Sequence, residues 1–103
     1  MIIIGNLKNK RNSNAYQIRV DRRSALGNPY TMMVDTEEER NRVCDNYEAW
    51  FAKAVKENPL VMNELHRILE IARETDVMLM CWCYPKRCHA ETIKRYLEKE
   101  IYK

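Results

Sequence analysis

The chain has no apolar run long enough to cross a bilayer and no short apolar core of the secretory-signal kind. Those two absences exclude a membrane-spanning helix and set the expectation of a soluble, cytoplasmic protein with no membrane partner. No internal repeat, low-complexity tract or interdomain linker interrupts the 103 residues. A repeat architecture is therefore excluded, and residues 1–103 are read as a single domain around one modest core. Glycine is scarce, at two residues, and proline little commoner, at three. Gly27, Asn28 and Pro29 fall together, so that segment reads as a structured turn rather than a slack connector. The four cysteines contain no C-x-x-C pair, and in a cytosolic chain thiols are buried, catalytic or metal-bound more often than paired in disulfides. A net charge of +3 suits an anionic small ligand as readily as a nucleic acid and decides neither.

Among the residues present, Ile2, Ile3 and Ile4 read as a short strand, and Lys8 to Asn14 as a polar loop. Tyr16, Ile18 and Val20 alternate with polar residues, which predicts a half-buried second strand. Residues 31–34 offer a further strand. Asp35 and Glu38 have capping-box spacing, and Glu37 and Glu39 favour a helix start. Val43, Tyr47, Trp50, Phe51 and Ala54 then form an apolar stripe, predicting a helix over 36–56. Asn58-Pro59 starts a second helix whose buried face is Val61, Leu65, Ile68, Leu69 and Ala72. Val77 to Cys81 is continuously apolar, as suits a strand buried on both faces. Ile93, Tyr96, Leu97 and Ile101 predict an amphipathic terminal helix. The expected fold is a small α/β domain: a largely parallel sheet of three to four strands packed with three helices.

Between the last strand and the last helix stands Cys81-Trp82-Cys83-Tyr84-Pro85-Lys86-Arg87-Cys88-His89. Ligands in open α/β sheets collect at the carboxyl ends of strands, beside helix N-termini, which is where this segment falls. Three readings of its chemistry stand side by side. Cys81, Cys83, Cys88 and His89 are the right donor types for zinc, although adjacent Cys88 and His89 would have to bend onto one ion. Cys88 is a candidate nucleophile, its thiolate favoured by a helix N-terminus and by Lys86 and Arg87, with His89 as acid or base. The plain structural alternative makes Cys81 and Cys83 small buried hydrophobes and His89 a local hydrogen-bonding residue.

The turn segment Ser24-Ala25-Leu26-Gly27-Asn28-Pro29-Tyr30 has two compatible readings. Gly27 can supply a positive φ and Asn28 a local side-chain bond. Alternatively Arg22 and Arg23 offer planar donors for phosphate or carboxylate, while Ser24, Gly27 and Asn28 line a cradle for a base or sugar. His66 reads as a surface residue, and Met78 and Met80 as core fillers. Lys94, Arg95 and Lys99 complement a helix dipole and require no nucleic-acid partner.

The two segments together resemble the signatures of a family carried by phages and bacteria, the domain of unknown function 4326, over roughly residues 16–97. Ala25 stands where its first motif has proline, and Asp21-Arg22 where it has Gly-Arg. The resemblance implies a compact α/β domain whose two signature loops meet in one pocket, in a host cytoplasm if phage-encoded, and it supplies no reaction. The expected function is binding of a small anionic ligand, a nucleotide or nucleoside derivative, held by Arg22, Arg23 and the N–H groups of residues 88–90. Ser24, Asn28, Trp82 and Tyr84 would contact base or sugar, with hydrolase or transferase chemistry from Cys88 and His89 as an extension. The alternative is a zinc-stabilised protein-interaction module without catalysis.

Overall fold

Ile2 lies beside Val77, and Tyr16 beside the same valine on its other side, because the apolar 77–81 run is the middle strand of the sheet. The structure, a computed structural model, describes residues 1–8 and 14–102. Most of the expected polar loop at 8–14 thus lies outside the described residues. Three strands, β1 (Ile2–Asn6), β2 (Tyr16–Arg19) and β3 (Val77–Cys81), form a parallel sheet in the order β1-β3-β2. A central strand is covered on both faces and both edges. All five residues of β3 are accordingly buried, which is why its sequence is apolar without alternation.

Three helices complete the domain: α1 (Glu37–Glu57), α2 (Pro59–Glu74) and α3 (Ala90–Ile101). The cap of α1 lies one residue later than the sequence spacing suggested. Thr36, not Asp35, accepts the N–H of Glu39, at 3.1 Å, because the Asp35 carboxylate is drawn instead to Arg40, 2.6 Å away. Asn58 caps α2 through the N–H groups of Leu60 and Val61, with Pro59 in the first turn where its missing N–H costs nothing. Residues 31–34 form no strand; Met33 and Val34 are solvent-exposed, and the Met33 N–H bonds to the Glu39 carboxylate at 2.8 Å instead of to a neighbouring strand.

Val77, Leu79 and Cys81 face the helices and join Ile18, Val20, Leu26, Tyr47, Ile68, Ile93 and Leu97 in one buried cluster. Burying an apolar side chain of that size stabilises the fold by about 1.5–3 kcal/mol before entropy is counted. Parallel strands place their carboxyl ends on one edge. From that edge the chain leaves β2 into residues 20–30 and β3 into residues 82–89, so both loops singled out in the sequence emerge side by side.

Candidate functional site

Asp21 is the hinge of the site. One turn beyond β2, it is buried, with 6% of its surface exposed, and an acid that deep needs partners. Its Oδ1 accepts Nε of Arg19 at 2.7 Å and its Oδ2 accepts the indole Nε1 of Trp82 at 3.0 Å. The Arg19 guanidinium, and then the indole N–H, hold the Asp21 carboxyl below the usual carboxylate range. The same guanidinium stands 5.8 Å from the Trp82 ring centroid. Trp82 is thereby pinned although 54% exposed.

The 24–30 loop is built around Asp21 as well. The Ser24 N–H donates to the Asp21 carbonyl at 2.9 Å and the Gly27 N–H to the Ser24 carbonyl at 3.0 Å. The Ser24 hydroxyl accepts the Leu26 N–H at 3.0 Å. Gly27 does not have the positive φ the turn reading expected. Its requirement is space: a Cβ there would lie 2.5 Å from the Asp21 carbonyl oxygen and 2.6 Å from Arg22 Cα, both backbone atoms. Asn28 accepts the Tyr30 N–H at 2.9 Å and donates to the Val43 carbonyl at 3.4 Å, tying the loop to α1.

On the other side β3 ends at Cys81, and Cys83 lies beyond the strand in the 82–89 loop. Cys81 and Cys88 are both free thiols, and their sulfurs lie 3.0 Å apart. A hydrogen bond joins them, and either sulfur can be its donor. Cys81 is the more acidic member, because the Cys88 thiol and then the N–H groups of Tyr84 and Cys83 stabilise its anion against burial. Cys88 is pushed up by donating to Cys81 and by desolvation. The expected activation of Cys88 by cations does not arise: Arg87 is drawn to Asn41, Asp45 and Glu48 on α1. The N–H groups at the start of α3 are also engaged, Cys88 N–H by the Glu91 carboxylate at 3.3 Å and Ala90 N–H by the Cys88 sulfur.

His89 is 9% exposed. Its Nε2 donates to the Val20 carbonyl at 2.5 Å, and its ring meets Tyr47 edge-on with centroids 5.0 Å apart. Burial lowers its pKa, so the imidazole is neutral, with Nδ1 as its unprotonated nitrogen. Among the described residues no three His, Cys, Asp or Glu side chains are placed to hold one metal ion, so Cys81, Cys83, Cys88 and His89 do not fit zinc in this arrangement.

Between the two loops and α1 lies a cavity of about 320 Å³. Arg22, Asn28, Trp82, Cys83, Cys88 and His89 of the sequence-derived set line it together. Arg23 is exposed outside it, and Ser24 and Gly27 shape the turn behind it. Tyr84 lies instead against β1 beside Ile3, Ile4 and Asn6, and Cys81 sits beneath the wall. The sequence reading missed the contribution of α1: Arg40, Val43 and Cys44 line the cavity. Their spacing with Tyr47, at i, i+3, i+4 and i+7, was the available signal, since it puts an arginine at the head of an apolar stripe. The Arg40 side chain is 11% exposed. One of its terminal nitrogens binds Asp35, while its Nε is buried with no hydrogen-bond partner.

Fold and site together define a small parallel α/β domain with a cation-rimmed, thiol-bearing cavity at the carboxyl edge of its sheet. The chain belongs to the family described as Domain of unknown function (DUF4326), whose profile matches residues 5–99. No curated protein and no solved structure matches the chain.

Proposed function

We propose that this cavity binds a small anionic ligand, a nucleotide or nucleoside derivative. The observation that carries the reading is the buried, unpartnered Nε of Arg40 in the cavity wall. An arginine N–H kept from water without an acceptor is costly, by about 1–3 kcal/mol or more for a charged group, and an anion seated in the cavity against the Arg40 guanidinium offsets part of that cost. Arg22 stands at the same cavity, its guanidinium exposed and held 3.1 Å from Thr31 Oγ1. With the α3 amides engaged internally, the arginine side chains take the anionic part.

The remainder of the lining suits the other half of a nucleotide. Trp82 presents a fixed indole, with Arg19 near its ring, for an aromatic base to stack on. Met32 and Val43 supply apolar surface. A ligand in this cavity meets the neutral His89 imidazole and the Cys88 thiol, so hydrolase or transferase activity at a glycosidic or phosphate-linked centre is the reaction class to assay.

The test is a thermal-shift and calorimetric panel of nucleosides, nucleoside monophosphates and inorganic phosphate on the full chain. At a hundredfold excess over Kd a native-state ligand stabilises by about 2.7 kcal/mol, which raises Tm by about 10–20 °C in a domain of this size. Monophosphates are expected to shift the wild-type protein and to lose that shift in Arg40→Gln, with a smaller loss in Trp82→Ala. An unshifted wild type across the panel rejects the reading.

A further inference from the structure

Cys81 and Cys88 are the only two thiols among the described residues that hydrogen-bond to each other, and the function proposed above leaves that closeness unused. They come from different elements. Cys81 is the last residue of β3, and Cys88 lies two residues before the first residue of α3. The 82–87 segment loops out and returns, bringing the sulfurs to 3.0 Å. A disulfide needs about 2.05 Å, so closing the bond takes about 1 Å of approach by side chains already facing each other. Cys88 also lines the cavity, with 4% of its surface exposed against 1% for Cys81 behind it, so a small oxidant entering there reaches Cys88 first.

We propose that Cys81 and Cys88 are an oxidative modification site: a dithiol that a peroxide, arriving through the cavity, converts to a disulfide in the cavity wall. The chemistry balances in two steps. In the first, Cys81, having released its own proton to solvent, takes the Cys88 proton along their hydrogen bond, and the Cys88 sulfur attacks one peroxide oxygen. The O–O bond breaks, the departing oxygen leaves as water after taking a proton from solvent, and Cys88 becomes a sulfenic acid. In the second, the Cys81 thiol gives up its proton and its sulfur attacks the Cys88 sulfur. The S–O bond breaks, and the hydroxyl leaves with that proton as a second water. Two thiols are oxidised by two electrons and one hydrogen peroxide is reduced. The hydrogen bond between the sulfurs lets the proton move from Cys88 to Cys81, so the sulfur that lines the cavity becomes the attacking thiolate, and Cys81, whose anion the neighbouring N–H groups stabilise, becomes the resolving group.

Cys83 is the competing partner. It is half-buried and lines the same cavity, but among the described residues it has no sulfur as a hydrogen-bond partner, whereas Cys88 can pass its proton to Cys81 across 3.0 Å. Cys44 is held in α1, buried, and its pKa is raised by desolvation.

The test needs no ligand, so it stands or falls apart from the nucleotide reading. Folded full-length protein is treated with hydrogen peroxide, its remaining thiols are alkylated under denaturing conditions, and it is digested with trypsin. Cleavage at Lys86 and Arg87 separates residues 74–86, which hold Cys81 and Cys83, from residues 88–94, which hold Cys88. A cross-link between these two peptides is expected in the wild type and equally in Cys83→Ser, lost on treatment with dithiothreitol, with Cys44 alkylated throughout. The inference is overturned if the wild type gives no such cross-link, or if Cys83→Ser abolishes it. The decision rests on those two proteins, whatever Cys81→Ser does to folding.

Discussion

The Tyr47 hydroxyl donates to the Leu26 carbonyl at 2.8 Å across 21 residues of sequence, and both residues are fully buried. This bond fastens the 24–30 loop to α1, and the cavity lies between those two parts. Burial holds the Tyr47 phenol far above its ordinary pKa, so it remains a donor across the accessible pH range. Tyr47→Phe removes the donor and leaves a buried carbonyl unpaired. The expected loss is about 1–3 kcal/mol, seen as a lower urea midpoint at unchanged m-value, with faster amide exchange in residues 24–30.

Gly27→Ala tests the close approach behind the turn. Its methyl would press on the backbone of Asp21 and Arg22, which cannot move without shifting the site. A loss of about 1–3 kcal/mol is expected. Gly5→Ala provides the contrast, since its methyl meets the ends of Met78 and Met80, which can change rotamer. Equal losses in thermal unfolding of the two variants would contradict this account.

Protonation of His89 opposes folding. Its ordinary value is 6.5 and burial lowers it in the folded protein. As pH falls below about 6.5, the unfolded chain therefore binds the proton first. The His89 contribution is complete above that value and is lost progressively toward the lower folded value, with a slope of at most about 1.4 kcal/mol per pH unit. Urea midpoints between pH 7.5 and 5.5 should fall in the wild type and stay nearly flat in His89→Gln, whose amide can still donate to Val20.

Asp21→Asn separates charge from shape. An amide of the same size offers one acceptor and cannot serve both Arg19 and Trp82. Trp82 should loosen, giving stronger acrylamide quenching of its fluorescence in a Trp50→Phe background. The Asp21 contribution also carries a pH signature of the same sign as that of His89, in a lower pH window. Its lowered carboxyl pKa makes it complete above the ordinary value of 3.8 and lost as pH falls through the folded value. A quenching constant unchanged by the substitution would refute the pinning role.

The elements of this fold were legible because their signals are local. Apolar spacing in α1, α2 and α3 marks the faces that pack, and the unbroken Val77–Cys81 run marks a strand enclosed on both sides. The register of small signals was not. Asp35 was free, as far as spacing tells, to cap α1, and only its ion pair with Arg40 moved that role to Thr36. The site was legible in its two loops and illegible in its third wall. Arg40 reads as one more charge on a solvated helix until the helix is seen against the 82–89 segment. Arg23 and Tyr84 carry suitable chemistry in sequence, and the path of the chain turns them elsewhere.

Sequence alone determined that this is one α/β domain, which residues build its core, and that two unusual loops leave the carboxyl ends of its strands. Those properties follow from hydrophobic periodicity and turn chemistry, which act over a few residues. Tertiary structure alone decided that Asp21 holds Trp82, that Arg40 lines the cavity with its Nε buried and unpartnered, and that Cys81 faces Cys88 rather than Cys83. Such pairings depend on distances of a few ångströms between residues remote along the chain or set apart by a loop. Spacing does not encode those distances; they exist only once the strands have aligned and the helices have packed.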